Sequence, residues 1–283
     1  MSAEISQIPG LMQEVPLSIL HLFDRAERYF GHKTIVTGTG TGIERTTYAQ
    51  WAKRTRQVGT VLDQLGISSN GRVATFAWNT ARHLELYFAA PCTGRVLHTL
   101  NIRLFPEQLT YIVNHAQDEV IFVDKSLMGL LAPLLPTFTT VKHLVIMDDG
   151  KGEIPADLAG IASYDYEELL AKAAPAQFVE VPENTAASMC YTSGTTGNPK
   201  GVVYTHRSTF LHTMATMMTD GLGVSESDKI LPVVPMFHAN AWGLAHAAVA
   251  SGADLVMPGP DLSGPAVADL IVNQRPTIAA GVP

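Results

Sequence analysis

The sequence is short of cysteine, of clustered positive charge and of long apolar runs, and each shortage excludes a class of protein. Only Cys92 and Cys190 occur in 283 residues, far apart, so neither a disulfide framework nor a C-x-x-C zinc or redox pair is present. Nineteen Lys+Arg stand against 26 Asp+Glu, a net charge of −7, and no Lys/Arg block occurs. That removes the electrostatic footprint of a nucleic-acid binder. The N-terminus, Met1 to Pro16, lacks a basic start followed by an apolar run and does not read as a secretory signal. The most apolar stretch, Ala241 to Met257, is interrupted by His246, Ser251, Gly252 and Asp254. It reads as a buried helix plus a strand, with no transmembrane segment. The cytoplasm is the expected location. An acidic protein of this kind binds phosphate through locally aimed amides and a few basic groups.

What is present is an alternation of helical and strand patterns. Ile19, Phe23, Ala26 and Phe30 fall at helical spacing, with Gly31 placed to end the helix. Thr47 and Gln50 form a capping-box pattern ahead of Trp51, Val58, Leu62 and Leu65, and Gly66 stops that run. β-prone runs follow at Val73–Phe76, Val120–Val123, Val141–Met147, Ser188–Tyr191, Val202–Tyr204, Ile230–Val234, Leu255–Met257 and Ile278–Ala280. Helical patterns lie near Ala81–Ala90, Pro106–His115, Ser208–Met218 and Leu262–Asn273. The alternation predicts an α/β fold, layered α/β subdomains with largely parallel sheets. Asp148 to Glu183, richer in Pro, Gly, Ala and acids, either separates two subdomains (1–180 and 181–283) or is a surface excursion. The last apolar run reads as a strand from which a β/α unit should continue, so Gly281-Val282-Pro283 reads as a truncation.

The densest chemistry is Thr192-Ser193-Gly194-Thr195-Thr196-Gly197-Asn198-Pro199-Lys200-Gly201. Glycine permits positive φ and close backbone approach, so successive N–H groups can converge on an anion. The hydroxyls of Thr192, Ser193, Thr195 and Thr196 add donors, one of which can ligate magnesium, and Lys200 brings a mobile positive charge. A Walker A loop would need Gly at Pro199 and Ser or Thr at Gly201, and a helix where Val202, Val203 and Tyr204 predict a strand. The loop is therefore strand–loop–strand. The bland alternative is a flexible hairpin without a ligand.

This loop, with Tyr191 before it, resembles the signature loop of the adenylate-forming enzymes, which include acyl-CoA synthetases. Pro235-Met236-Phe237-His238-Ala239-Asn240-Ala241-Trp242-Gly243, the stretch His98 to Leu109 and Gly281-Val282-Pro283 also fit. The resemblance covers essentially the whole chain and is greatest to bacterial medium- and long-chain fatty acyl-CoA ligases and 3-methylmercaptopropionate-CoA ligases. It implies ATP, Mg2+ and coenzyme A as cofactor and co-substrates, a carboxylic acid as substrate, and allows a homodimer. By resemblance, Thr192 is the magnesium-side hydroxyl and Lys200 grips the β- and γ-phosphates. Ser193, Gly194, Thr195, Thr196, Gly197 and Gly201 complete the phosphate cradle, and Ala239 lies near the nucleotide. His238 and Gly281 line the acyl-adenylate site, and Trp242 gates the acyl tunnel. Adenine and ribose contacts, a second magnesium ligand and a mobile C-terminal domain are implied outside these residues, so the chain alone is expected to be inactive.

Taken from the residues alone, His238 and Trp242 have a competing reading as core residues on one helix face. The stretch offers no carboxylate to pair an amine, so an amine-free acid fits; an aromatic acid of the coumarate type is the alternative within the class. Outside it stand a non-catalytic nucleotide-binding module and a dimerising fragment. His83, His98, His115, His143, His206 and His212 form no metal pattern and read as surface or satisfied core histidines. Phe210, Met214, Met217 and Leu222 read as core filling, and Asp148-Asp149 as a turn. No G-x-S-x-G elbow is present.

Overall fold

The computed structural model describes residues 10–192 and 198–282. The chain opens with helix α1 (Ile19–Tyr29), whose N-cap Ser18 accepts from the Leu20 amide. A hairpin of β1 (Thr34–Thr39) and β2 (Gly42–Thr47) leads into α2 (Tyr48–Gln64). The Thr47/Gln50 capping box closes as the spacing predicts. Then come β3 (Arg72–Phe76), α3 (Ala81–Cys92), β4 (Val96–Thr99), α4 (Pro106–Ala116), β5 (Asp118–Asp124), the short α5 (Met128–Leu131) and β6 (His143–Met147). Next are β7 (Ala162–Asp165), α6 (Tyr166–Lys172), β8 (Ala186–Thr192), β9 (Lys200–Thr205) and α7 (His206–Met217). The last elements are β10 (Lys229–Pro232), α8 (Leu244–Ser251), β11 (Asp254–Met257), α9 (Gly264–Gln274) and β12 (Ile278–Ala280).

Two sheets form, ordered β7-β6-β5-β3-β4-β8-β9 and β12-β10-β11-β1-β2. Every neighbouring pair is parallel except β8/β9 and β1/β2, which close one edge of each sheet as antiparallel hairpins. The central parallel strands β3, β5 and β6 are buried and largely apolar on both faces, as strands covered on both sides must be. Period-2 alternation sorts their side chains. Val120 and Phe122 of β5, with Ile230 and Leu255 of the smaller sheet, face a shared core with α1, α2, α3 and α8. Ile121 and Val123 point the other way, onto α4 and α5. Leu231 and Val256 point outward to Leu270 of α9. The result is five layers, helices between and outside two sheets, and the expected α/β class stands.

Each sheet draws strands from both sides of residue 180: β8 pairs with β4, and β11 with β1. The 148–183 stretch supplies β7 at the far edge of the larger sheet and α6 beneath it. Six elements, β1, β2, β4, β7, α5 and α6, lie outside the sequence expectations, and the four strands have a common cause. β1, β2, β4 and β7 are short or rich in Gly, Thr and charge. Their pairing depends on neighbours remote in sequence, which local propensity does not register. The helix α6 is only seven residues long and starts on the N-cap Asp165.

Candidate functional site

Parallel α/β sheets present ligand sites beyond the carboxyl ends of their strands. Here those ends converge on the loop that follows β10. Asn79, just past β3, donates through Nδ2 to the carbonyls of Pro232 (2.8 Å) and Val234 (2.9 Å) and accepts from the Met236 amide (2.7 Å). The Tyr87 hydroxyl of α3 donates to the Met236 carbonyl. The Val234 amide donates to Ala280 at the end of β12 (2.8 Å), which brings Gly281 beside Val233. Arg103, past β4, lies over the Phe237 ring at 5.9 Å.

Beyond Phe237 the backbone turns left-handed for five residues: Ala239 (φ 44°), Asn240 (50°), Ala241 (49°), Trp242 (55°) and Gly243 (77°). Four of these carry a Cβ, and each costs roughly 1–2 kcal/mol in that region. The turn is held from outside. Asn240 Nδ2 donates to Ser188 Oγ on β8 (3.2 Å), and His212 Nε2 meets the Trp242 carbonyl at 3.1 Å. His238 is exposed, and Trp242 keeps 47% of its surface. The competing reading of this pair as core residues on one helix face is thereby overturned. Their exposure follows from the left-handed turn, which breaks the helical register before α8 begins.

The same strand, β8, leads into the candidate phosphate loop. Tyr191 pairs with Gly201 and Thr192 with Lys200, so the loop closes an antiparallel hairpin, strand–loop–strand as expected. Ser193, Gly194, Thr195, Thr196 and Gly197 lie outside the described residues. At its mouth Thr192 and Lys200 are both exposed, with Thr192 Oγ1 3.5 Å from the Lys200 carbonyl. A Cβ on Gly201 would stand 3.2 Å from the Tyr191 ring, which explains the glycine. Ser188, Cys190 and Thr192 share one face of β8. Ser188 holds Asn240. Burial raises the Cys190 thiol pKa against the opposing Tyr204 and Ala239 hydrogen bonds. The β8–β9 hairpin and the His238–Trp242 turn are thus both attached to β8.

On the opposite face Tyr191 meets His115 Nδ1 at 2.7 Å, and burial with the Asp118 charge pushes its phenol up to about 12. Asp118 is fully buried against His98 Nδ1 (2.8 Å), and burial raises its carboxyl pKa more than His98 lowers it. His98 is thus buried with Nδ1 on the Asp118 carboxyl, and among the described residues its Nε2 has no hydrogen-bond partner, a departure from the satisfied histidine expected. His83 does fit that expectation, bonded to Thr75 and the Trp78 carbonyl at 2.9 Å each. Asp149 is buried and bonded to Ser126, more than a turn residue. Among the described residues no group of three or more His, Cys, Asp or Glu could hold a metal. Thr192 still offers one exposed hard oxygen, which suits a magnesium ion otherwise held by phosphate and water. Sequence reasoning singled out neither Asn79, Tyr87, Ser188 nor Arg103. A polar Asn-Thr pair between the β3 and α3 patterns was the available signal.

A family model described as AMP-binding enzyme matches residues 22–283. A 3-methylmercaptopropionyl-CoA ligase of Ruegeria pomeroyi is 47% identical over 275 residues, 97% of this chain and 51% of the relative. A long-chain-fatty-acid–CoA ligase of Thermus thermophilus is 43% identical over 280 residues, 99% of this chain and 50% of the relative. The chain thus spans about half the length of these curated relatives. Among solved structures, an anthranilate CoA ligase in complex with anthranoyl-AMP superposes with a TM-score of 0.81 at 23% identity. It covers 95% of this chain and 51% of that one, and shows the shared fold.

Proposed function

From the premise that this chain belongs to the AMP-binding enzyme family, we propose that it supplies the phosphate and acyl portions of an AMP-forming carboxylic acid–CoA ligase. The observation that carries the proposal is the attachment of both the β8–β9 hairpin and the His238–Trp242 turn to β8. A carboxylate oxygen attacks the α-phosphorus of ATP, the α–β anhydride bond breaks, and pyrophosphate leaves with its electron pair. The CoA thiolate then attacks the acyl carbonyl and AMP departs. The first step brings two anions together, so positioning and charge neutralisation dominate. Lys200 at the hairpin mouth neutralises the leaving pyrophosphate, and His238 donates toward the acyl carboxylate or its phosphate ester. Ala239 lies beside the nucleotide, and Gly281, without a side chain, leaves room for the acid. Thr192 would hold the magnesium ion, which would supply charge neutralisation for the phosphates.

The described residues of the acyl turn contain no carboxylate, which favours an amine-free acid, and the exposed Trp242 favours an aliphatic chain. The relatives named for 3-methylmercaptopropionate and for fatty acids share that chemistry. The same reading takes the cytoplasm as location and a homodimer as assembly, the latter checked by light scattering. It also assigns the adenine contacts and the catalytic lysine to residues outside this chain. The chain alone should bind ATP without turning it over. Calorimetry should give heat of binding for the wild type and a clear loss for Lys200→Ala. No heat from either protein would favour a purely structural role and sink the proposal.

A further inference from the structure

We propose that Asn79 is a positioning residue for the acid-binding half of the site, an inference that rests on the ligase reading above. Its side chain is 4% exposed and captures three backbone groups within five residues of one loop: the Pro232 and Val234 carbonyls and the Met236 amide. The amide orientation is set by its surroundings. A flipped amide would aim oxygen at two carbonyls and NH2 at an N–H, turning all three contacts repulsive.

Asn79 is itself held on both sides. Its carbonyl accepts from the Gly259 amide (3.0 Å) past β11, and Thr80 caps α3 by accepting from the His83 amide (3.1 Å). The residue therefore joins the exit of β3 in the larger sheet to the exits of β10 and β11 in the smaller one. Only two residues separate Met236 from the left-handed turn that starts after His238. Met236 is gripped at both ends, its N–H by Asn79 and its carbonyl by Tyr87. Residue identity is closely specified: Asp cannot donate to the two carbonyls, and Gln adds a methylene in a buried position. Asn79 touches no reacting atom; it fixes the height and direction from which His238 and Trp242 leave the sheet.

Hydrogen exchange and ligand titration on Asn79→Ala and Asn79→Asp test this, with octanoate and ATP as probes. Amides of residues 233–238 should exchange ~10-fold faster or more while those of β9 stay unchanged. Octanoate affinity should fall by ~10-fold with ATP affinity unchanged, since the phosphate hairpin hangs on β8 and not on this loop. A general rise in exchange, no rise at all, or equal losses of both ligands would overturn the proposal. If the wild type binds no octanoate, the ligase reading fails, and the exchange contrast alone decides on the clamp. Should both Asn79 variants fail to fold, Tyr87→Phe must still loosen 233–238 selectively, and an unchanged loop would overturn it.

Discussion

Single residues carry most of what the sequence could reveal about chemistry. Thr192, Lys200, Gly201, His238 and Trp242 could be proposed from sequence because their types suit phosphate and an acyl chain within short segments. Asn79 was not, because its three partners lie more than 150 positions away and nothing local announces them. Histidines divide the same way. His246 lies 5.5 Å from the Tyr87 ring and 5.4 Å from Phe88, and burial, helped by His212 and His206, pushes its imidazole down to about 4. An exposed imidazole titrates near ~6.5. Between those values the unfolded chain binds a proton that the fold refuses. Stability contributed by this group is therefore lost as pH falls from ~6.5 to ~4 and is level outside that window. His246→Leu should gain on the wild type by ~1.4 kcal/mol per pH unit of acidification across it, measured by urea melts. Parallel pH profiles for the two proteins would show that His246 is not held neutral.

Elements explain where the reading from sequence stopped. Helices with caps and strong apolar faces, and strands buried on both sides, were placed to within a few residues, because periodicity reports burial directly. The β1/β2 hairpin, β4 and β7 were not, since their strand character comes from partners in the sheet. The left-handed turn at 239–243 was invisible for a related reason: Ala and Trp do not signal positive φ, a lone Asn or Gly does not signal a run of five, and external hydrogen bonds hold it. Backbone contacts between elements give a sharp test elsewhere. Gly259 has φ +68°, and a Cβ there would run into the Gly38 carbonyl at the end of β1. Gly259→Ala should cost more than about 2 kcal/mol in a urea melt, adding left-handed strain to a backbone collision. A loss below about 0.5 kcal/mol would mean that the β1 and β11 exits are not packed as described. The Thr47 cap offers a milder control, about 1 kcal/mol for Thr47→Ala.

At the scale of the whole molecule, two sheets share a helical layer and aim their carboxyl edges at one loop. That convergence attaches the His238–Trp242 turn and the hairpin proposed to hold phosphate to the same strand, although they are separated in sequence by α7 and β10. The fold class could be read from alternation alone; the interleaving of strands from both sides of residue 180 could not, because strand order is set by long-range pairing. No helix among the described residues is long and apolar enough to cross a membrane. The central claim is that this arrangement serves acid activation by ATP. Its most direct test is ATP–pyrophosphate exchange by the full-length protein that carries this chain. The acid panel should run from 3-methylmercaptopropionate through short, medium and long fatty acids to cinnamates. Exchange should depend on an aliphatic acid and fall on the order of 100-fold for Lys200→Ala. Exchange that ignores the acid, prefers cinnamates to every aliphatic acid, or survives Lys200→Ala intact would contradict it.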